Sequence, residues 1–307
     1  MSARTVEMAA PFGWLMKSLD VGRRNPKALF GALLLMVVVV FAMTAMQMVA
    51  QAIVGPSLMA LGVVYVVVML FSAVVMPPIT GGVFRVIDAT HRGAPARATD
   101  VFSMFRQPGA ARQVILVSLL FTAFYLVCAA ALSFTAVGQF YKEYFAIAMA
   151  VPPGGQPDMD AIKALLLRAP NGLLPTTLLM MLVALVWTHA YMLSLAGVAL
   201  RGGDVLPSAA AGTVAALKNF LPLLGFVIVA AIVGFIVVLL LAIVLALVMV
   251  VLSLVSPVLA TVVMVPAMVL MMLALYAVMF GFYYHAWCDI FGETSDAVPP
   301  APEAVAL

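Results

Sequence analysis

FLPLLGFVIVAAIVGFIVVLLLAIVLALVMVVLSLVSPVLATVVMVPAMVLMMLALYAVMFGFYYHAW, residues 220–287, is the stretch that decides the fold class. The 70 positions from Asn219 to Cys288 contain no Asp, Glu, Lys or Arg. About 20 apolar residues suffice for a helix to cross a bilayer, so this stretch has room for two crossings. Similar apolar runs recur upstream. The sequence therefore predicts an all-α, polytopic membrane protein.

Composition supports this class and excludes several others. Of 307 residues, 66% are hydrophobic and 9% are charged, whereas about a quarter of residues are charged in ordinary globular chains. The two cysteines, Cys128 and Cys288, form no disulfide or zinc pattern. Phosphate-loop, dinucleotide, serine-hydrolase and metalloprotease motifs do not occur in the chain. We therefore expect a non-enzymatic protein and assign no catalytic residue, cofactor, metal or nucleic-acid partner.

The apolar runs predict six membrane spans joined as three hairpins. A cytoplasmic amphipathic segment (1–27) would precede the membrane domain, and a disordered cytoplasmic tail (292–307) would follow it. An outer loop (138–172) would separate the third span from the fourth. The spans are expected at about 28–50, 57–79, 113–137, 173–200, 221–252 and 258–288.

The distribution of Lys and Arg predicts the orientation. Segments 1–27 and 80–112 hold five basic residues each, and segment 201–220 holds two. The outer loop 138–172 holds the other three. Cytoplasmic loops are enriched in Lys and Arg. Twelve basic residues lie on one predicted side of the membrane and three on the other, so both termini are predicted to lie in the cytoplasm. The same rule explains why the chain carries these basic residues, so they give no reason to predict a nucleic-acid partner.

Three places in the chain share one pattern: apolar residues, a basic residue, Asn or Gln, a nearby Pro and then a span. The pattern suggests three units, each a short cytoplasmic interfacial helix followed by a two-span hairpin, with pseudo-symmetry about the membrane normal. The alternative is that any cytoplasmic approach to a span is basic and marked by Pro. The three sequences are SLDVGRRNPKALFGA (18–32), DVFSMFRQPGAARQV (100–114) and VAALKNFLPLLGF (214–226).

The first of these interfacial helices is predicted to lie in the membrane surface. Phe12, Leu15, Met16 and Leu19 recur at helical spacing, opposite a polar stripe. Basic amphipathic helices of this kind bind anionic lipid. A second polar stripe follows the second span, and Gly93 is expected to end that helix. The side chains predicted to contact lipid headgroups are Trp14, Lys17, Arg23, Arg24, Lys27, Arg85, Arg92, Arg106 and Lys218.

His189 is the ionisable side chain expected deepest in a span. An intramembrane ionisable group suggests a functional site, so His189 is a candidate substrate contact. A neutral His bonded to Thr or Tyr on a neighbouring helix is the structural alternative. His285, near the end of the last span, is assigned to an aromatic belt at the interface. His91 is expected to be solvated in the cytoplasmic linker.

Three sequences also resemble a known family. GWLMKSLDVGRRNPKALFGALL (13–34), PPITGGVFRVIDATHRGAPARATDVFSMFR (77–106) and LKNFLPLL (217–224) are similar to a family of uncharacterised proteobacterial inner-membrane proteins named after a locus tag. The resemblance covers most of the chain and implies a multi-pass protein of the bacterial inner membrane. It implies no catalytic residues.

These observations favour a protein that organises the membrane, or binds lipid or a protein partner, through its interfacial helices. The expected partners are the phospholipid bilayer, anionic lipids at the cytoplasmic face, and a partner protein or a second copy of the chain. The alternative is a small-solute transporter or channel with His189 near the pathway. A third hypothesis is an enzyme acting on a lipid, whose sign would be acidic and basic side chains facing one cytoplasmic pocket.

Overall fold

A computed structural model describes residues 3–54, 57–150 and 156–292. This part of the chain is all-α, with no strand, as predicted. The predicted disordered tail from residue 293 onward lies outside the described residues. The helices are α1 (Ala10–Leu19), α2 (Pro26–Val54), α3 (Leu58–His91), a 3-10 helix (Ala98–Arg106), α4 (Pro108–Ser133), α5 (Ala136–Met149), α6 (Met159–Leu167), α7 (Leu173–Arg201), α8 (Val205–Lys218), α9 (Phe220–Val255) and α10 (Pro257–Phe291).

Six of these helices are long and apolar enough to cross a membrane, which confirms the predicted number in the described chain. They are α2, α3, α4, α7, α9 and α10. Helix α9 has 36 residues, about 54 Å at 1.5 Å per residue. Because a bilayer core is about 30 Å thick, a helix of this length must tilt or extend into the interface.

Helix α3 extends beyond the second span expected at about 57–79. It continues through Pro77 and Pro78 to His91 as one helix. Val83 in this extension is fully buried, so packing holds the segment in place despite the backbone hydrogen bonds that the prolines remove. The predicted stop is confirmed: Gly93 has φ +70° directly after the C-cap.

A short helix precedes α2, α4 and α9, as the repeated pattern predicts. Each short helix packs against a pair of long helices from elsewhere in the bundle. Helix α1 contacts α10 and α9, the 3-10 helix contacts α2 and α3, and α8 contacts α7 and α4. All three lie near the end of the bundle where α2, α4 and α9 begin.

Each of these three contacts contains a glycine. An added Cβ would collide with the neighbouring helix at all three positions, so the helices approach more closely than any other residue allows. The glycines and the residues they face are Gly82 with Val101, Gly212 with Ser194, and Gly281 with Ser18.

The Asn or Gln of each repeated sequence also makes a tertiary contact. These amides stand just before α2, α4 and α9, so they attach the start of each long helix to a distant segment. Asn25 Nδ2 donates to the Ala96 carbonyl (3.2 Å), Gln107 Oε1 accepts from Arg85 Nη1 (2.9 Å), and Asn219 Oδ1 accepts from the Val6 amide (2.8 Å).

The main core lies at the same end of the bundle. Its largest fully buried side chains include Trp14, Phe84, Tyr284 and Trp287. Farther along the helices, apolar side chains are mostly exposed, and the most apolar window of α9 has no buried residue. The protein therefore packs against itself mainly at one end, while elsewhere its apolar surface is available to lipid or to a partner.

The predicted outer loop contains two helices, α5 and α6. Helix α6 begins at Met159 because Asp158 caps it: the Asp158 Oδ1 accepts hydrogen bonds from the amides of Asp160 (3.1 Å) and Ala161 (2.9 Å). This cap satisfies backbone donors at the helix N-terminus, so the acidic residue has a local structural role.

Candidate anion-binding pocket

A pocket of about 310 Å³ opens at the end of the bundle that holds the main core. It lies where the last turn of α1 and the residues after it meet the ends of α3 and α10. We call it the basic pocket. It is lined by Lys17, Asp20, Val21, Arg23, Arg24, Thr90, His91 and His285.

The link between α1 and α2 is held against α3 by Arg24. Its Nη1 donates to the carbonyl oxygen of His91 at 2.5 Å. This bond joins the wall formed by residues 20–24 to the C-terminal turn of α3. The guanidinium has five N–H donors, so one bond to the carbonyl leaves capacity for an anion.

Two imidazole rings form the floor of the basic pocket. The ring centroids of His91 and His285 are 5.4 Å apart at 79°, and His285 is only 3% exposed. The Thr90 hydroxyl beside them is buried and has no hydrogen-bond partner among the described residues. Imidazole N–H and hydroxyl groups both donate to phosphate or carboxylate oxygens, so this wall also suits an anion.

The basic pocket carries excess positive charge. Lys17, Arg23 and Arg24 contribute three positive charges and Asp20 contributes one negative charge, so the formal sum is 3 − 1 = +2 with both imidazoles neutral. Asp20 lies 3.7 Å from Arg23. Both side chains of this pair are more than two-thirds exposed, so solvent weakens the pair, and Arg23 can turn to an anion.

Trp14 requires a correction. It was predicted to lie at headgroup depth, but it is 1% exposed and packs edge-to-face on Phe282 of α10. Its Nε1 donates to Asp289 at 2.5 Å. The sequence pattern placed Trp14 beside an exposed apolar stripe, but α1 turns this side chain toward α10, so Trp14 contacts protein instead of lipid.

Arg85, Arg92 and Lys218 make contacts inside the protein. Arg85 Nε donates to the Ala199 carbonyl at 2.8 Å and so connects α3 to α7. Arg92 is exposed but pairs with Asp88 at 2.9 Å. Lys218 Nζ donates to a backbone carbonyl of the N-terminal segment at 3.2 Å. These side chains help to hold the helices together, whatever they contact outside the protein.

Lys27 and Arg106 complete the predicted set. Both are exposed, Lys27 in the first turn of α2 and Arg106 in the last turn of the 3-10 helix. Arg106 lies 3.9 Å from Asp100, a distance typical of a weak surface pair. Of the nine predicted headgroup contacts, the basic pocket therefore brings together Lys17, Arg23 and Arg24.

Sequence reasoning did not assign the two imidazoles to a common site. His91 is the last residue of α3, and His285 lies six residues before the end of α10. The two residues are 194 positions apart in the sequence, so no local pattern could predict their contact. The available signal was that both were expected on the cytoplasmic side, His91 in a linker and His285 near the end of the last span.

His189 lies inside the bundle and is 5% exposed. Its Nδ1 is 3.1 Å from the hydroxyl oxygen of Tyr283 on α10, and its Nε2 has no hydrogen-bond partner among the described residues. A Tyr on a neighbouring helix is the partner that the structural alternative expects. Its role as a substrate contact stays a prediction.

Comparison with protein-family models, with curated proteins and with solved structures found no match to the chain.

Proposed function

We propose that this chain is a non-enzymatic, multi-pass protein of the bacterial inner membrane that binds anionic phospholipid headgroups in the basic pocket. The observation that carries the proposal is the convergence of Lys17, Arg23 and Arg24 with two imidazoles in one pocket. Six apolar helices are consistent with an integral membrane protein, and the choice of the bacterial inner membrane is part of the proposal.

The position of the basic pocket supports a lipid as its occupant. Twelve of the 15 basic residues precede or follow spans at this end of the bundle, which favours a cytoplasmic location for both termini. The cytoplasmic leaflet carries the anionic lipids. Phe12, Met16 and Leu19 of α1 are exposed beside the basic pocket, so a headgroup bound by the basic residues would place its acyl chains against apolar protein surface.

The packing of the short helices supports the three-unit architecture. The 3-10 helix of the second unit packs on α2 and α3 of the first, and α8 of the third packs on α7 and α4 of the second. Helix α1 of the first unit packs on α10 of the third and closes the ring. We therefore propose three helix-plus-hairpin units around a pseudo-three-fold axis, with the short helices at the cytoplasmic interface. The basic pocket lies where this ring closes.

The acidic side chain in the basic pocket does not make an enzyme the better hypothesis. Asp20 is paired with Arg23 at the exposed rim, whereas His91 and His285 form the floor. A general base must lie within hydrogen-bond reach of the proton that it removes, and the Asp20 carboxylate is paired with the Arg23 guanidinium. Binding is therefore the activity that this arrangement supports best.

Native mass spectrometry from nanodiscs tests the proposal. The protein is placed in bilayers of phosphatidylcholine with and without phosphatidylglycerol, and the retained lipids and subunit count are measured. Each basic residue near an anionic surface contributes about 1 kcal/mol. The Lys17→Gln/Arg23→Gln variant should therefore lose phosphatidylglycerol with an affinity decrease of about tenfold or more.

The chain supplies a matched control in its outer loop. Lys142→Gln/Lys163→Gln removes the same number of positive charges from the other end of the bundle and should retain phosphatidylglycerol. Equal loss from both variants would mean that net charge, not the basic pocket, attracts the lipid. Equal retention of phosphatidylcholine and phosphatidylglycerol by the unaltered protein would refute the proposal outright.

A further inference from the structure

A second cavity, of about 480 Å³, lies within the predicted membrane region, between α2, α3, α4 and α7. We call it the intramembrane cavity. Ser118 on α4 is 10 residues from the start of its helix, which is about 15 Å at 1.5 Å per residue. Tyr191 on α7 is also 10 residues from the end of its helix. These positions place the wall near mid-membrane depth, far from the basic pocket.

The intramembrane cavity is lined by several polar side chains. Thr44 donates to the Val40 carbonyl within its own helix, and four further polar side chains line the same space, three of them half-buried and one, Tyr65, exposed. Polar groups in hydrocarbon need hydrogen-bond partners, so their convergence on one space favours a ligand that supplies them. These four side chains are Gln47, Tyr65, Ser72 and Thr122.

The lining of the intramembrane cavity excludes a charged ligand. None of its lining residues is Asp, Glu, Lys, Arg or His, and an ion at membrane depth needs a countercharge. Helix α7 explains why His189 does not contribute. Trp187 and Tyr191 are four residues apart and line the cavity from one face of the helix, whereas His189, between them, contacts Tyr283 of α10.

The other walls of the intramembrane cavity are apolar and adaptable. Met43, Met69 and Met76 line it together with Phe121 and Trp187. Flexible methionines adapt to irregular apolar shapes, and a volume of this size is typical of small-molecule sites. Tyr65 is 56% exposed, so on its side the cavity is open toward the surrounding bilayer.

We infer that the intramembrane cavity binds an uncharged amphiphile that enters from the bilayer: a molecule with an apolar body and a hydroxyl or carbonyl group. The apolar body packs against the methionines and aromatic rings, and the polar group pairs with Ser72, Thr122 and Gln47. This inference is independent of lipid binding in the basic pocket, because the two sites share no lining residue.

Photolabelling in phosphatidylcholine nanodiscs tests the inference. The probe is a ten-carbon alcohol that carries a diazirine in its chain, and mass spectrometry maps the labelled peptides. We expect saturable labelling of peptides from α2, α3, α4 and α7. Excess 1-decanol should compete with the probe, whereas decane, which lacks the hydroxyl, and decanoate, which is charged, should compete poorly.

The variant Ser72→Ala/Thr122→Val removes two hydroxyls with little change of shape. It should weaken binding of the alcohol by about threefold to tenfold, the effect of losing one hydrogen bond or more. The matched control is Ser253→Ala/Thr213→Val, which removes the same two groups outside the intramembrane cavity. It should leave the labelling unchanged, and both proteins should elute as folded species in gel filtration.

Three outcomes would overturn the inference. Equal competition by decane would mean that the space accepts any acyl chain. Labelling spread over all lipid-facing helices without saturation would mean that only water or bilayer lipid fills it. Protection of the same peptides by self-association, seen as dilution-dependent labelling, would mean that a second copy of the chain covers it. None of these outcomes depends on the basic pocket.

Discussion

The variant Gly82→Ala tests the close packing of the 3-10 helix against α3. A Cβ at position 82 would lie 2.5 Å from the Val101 carbonyl carbon and 2.9 Å from the Val101 Cα. Ordinary contacts of this kind begin at 3.4 Å, so the backbones must separate by at least 3.4 − 2.5 = 0.9 Å. The collision is with backbone, which cannot rotate away, so one of the two helices must move.

The movement is costly because Val101 is fully buried. Forcing an extra carbon into a packed core costs about 1–3 kcal/mol, while replacing Gly by Ala within a helix returns up to about 1 kcal/mol. We therefore expect Gly82→Ala to lower the free energy of unfolding by about 1–2 kcal/mol. Titration with SDS in mixed micelles, followed by circular dichroism, measures this change.

Gly62→Ala is the matched control because it lies in the same helix. A Cβ at position 62 meets nothing within 4 Å, so only the helix propensity changes and the protein should be unaffected or slightly stabilised. If Gly82→Ala is as stable as Gly62→Ala, the close contact between α3 and the 3-10 helix does not exist in the membrane. That result would also remove one of the three glycine contacts on which the three-unit architecture depends.

Other variants test buried polar contacts by the same SDS titration. Asn219→Ala should lower the free energy of unfolding by about 2–4 kcal/mol, because it leaves two backbone groups of the N-terminal segment unpaired. Proteolysis of that segment at the same rate in the variant and in the unaltered protein would contradict this. Trp14→Phe keeps an aromatic ring but loses the bond to α10, so a loss of about 1–3 kcal/mol is expected, and no loss would refute the internal placement of Trp14. His189→Leu should cost about 1 kcal/mol, and His189→Leu/Tyr283→Phe should restore most of it; a double variant less stable than either single one would show that another contact is involved.

Local features were predictable wherever a short stretch of sequence carries its own physical reason. Asp158 caps α6 because its carboxylate satisfies backbone amides two and three residues ahead. Gly93 ends α3 because it adopts a positive φ. Pro77 and Pro78 show the limit of such local reasons, because their tendency to break a helix is overridden in α3 by packing that lies outside the local sequence.

The candidate site was only partly predictable. Lys17, Arg23 and Arg24 were predicted to be headgroup contacts because basic residues near a span follow the orientation rule. That rule treats all basic residues alike, so it could not separate these three from Arg85, which donates to a carbonyl of α7. Only the folded chain shows which cations face an open pocket and which are engaged in holding helices together.

The sequence alone determined the all-α class and the number of long apolar helices. Hydropathy and helix length are local properties, and each apolar run long enough to cross the bilayer predicts one such helix. The tertiary structure decided everything that depends on which helices meet. It turned Trp14 inward, brought His91 beside His285, and placed His189 and Tyr191 on different faces of α7. The reason is that an almost uniformly apolar helix, such as α9, carries no sequence signal for the face it presents to its neighbours. The glycine contacts and buried hydrogen bonds that select those faces form only between segments far apart in the chain.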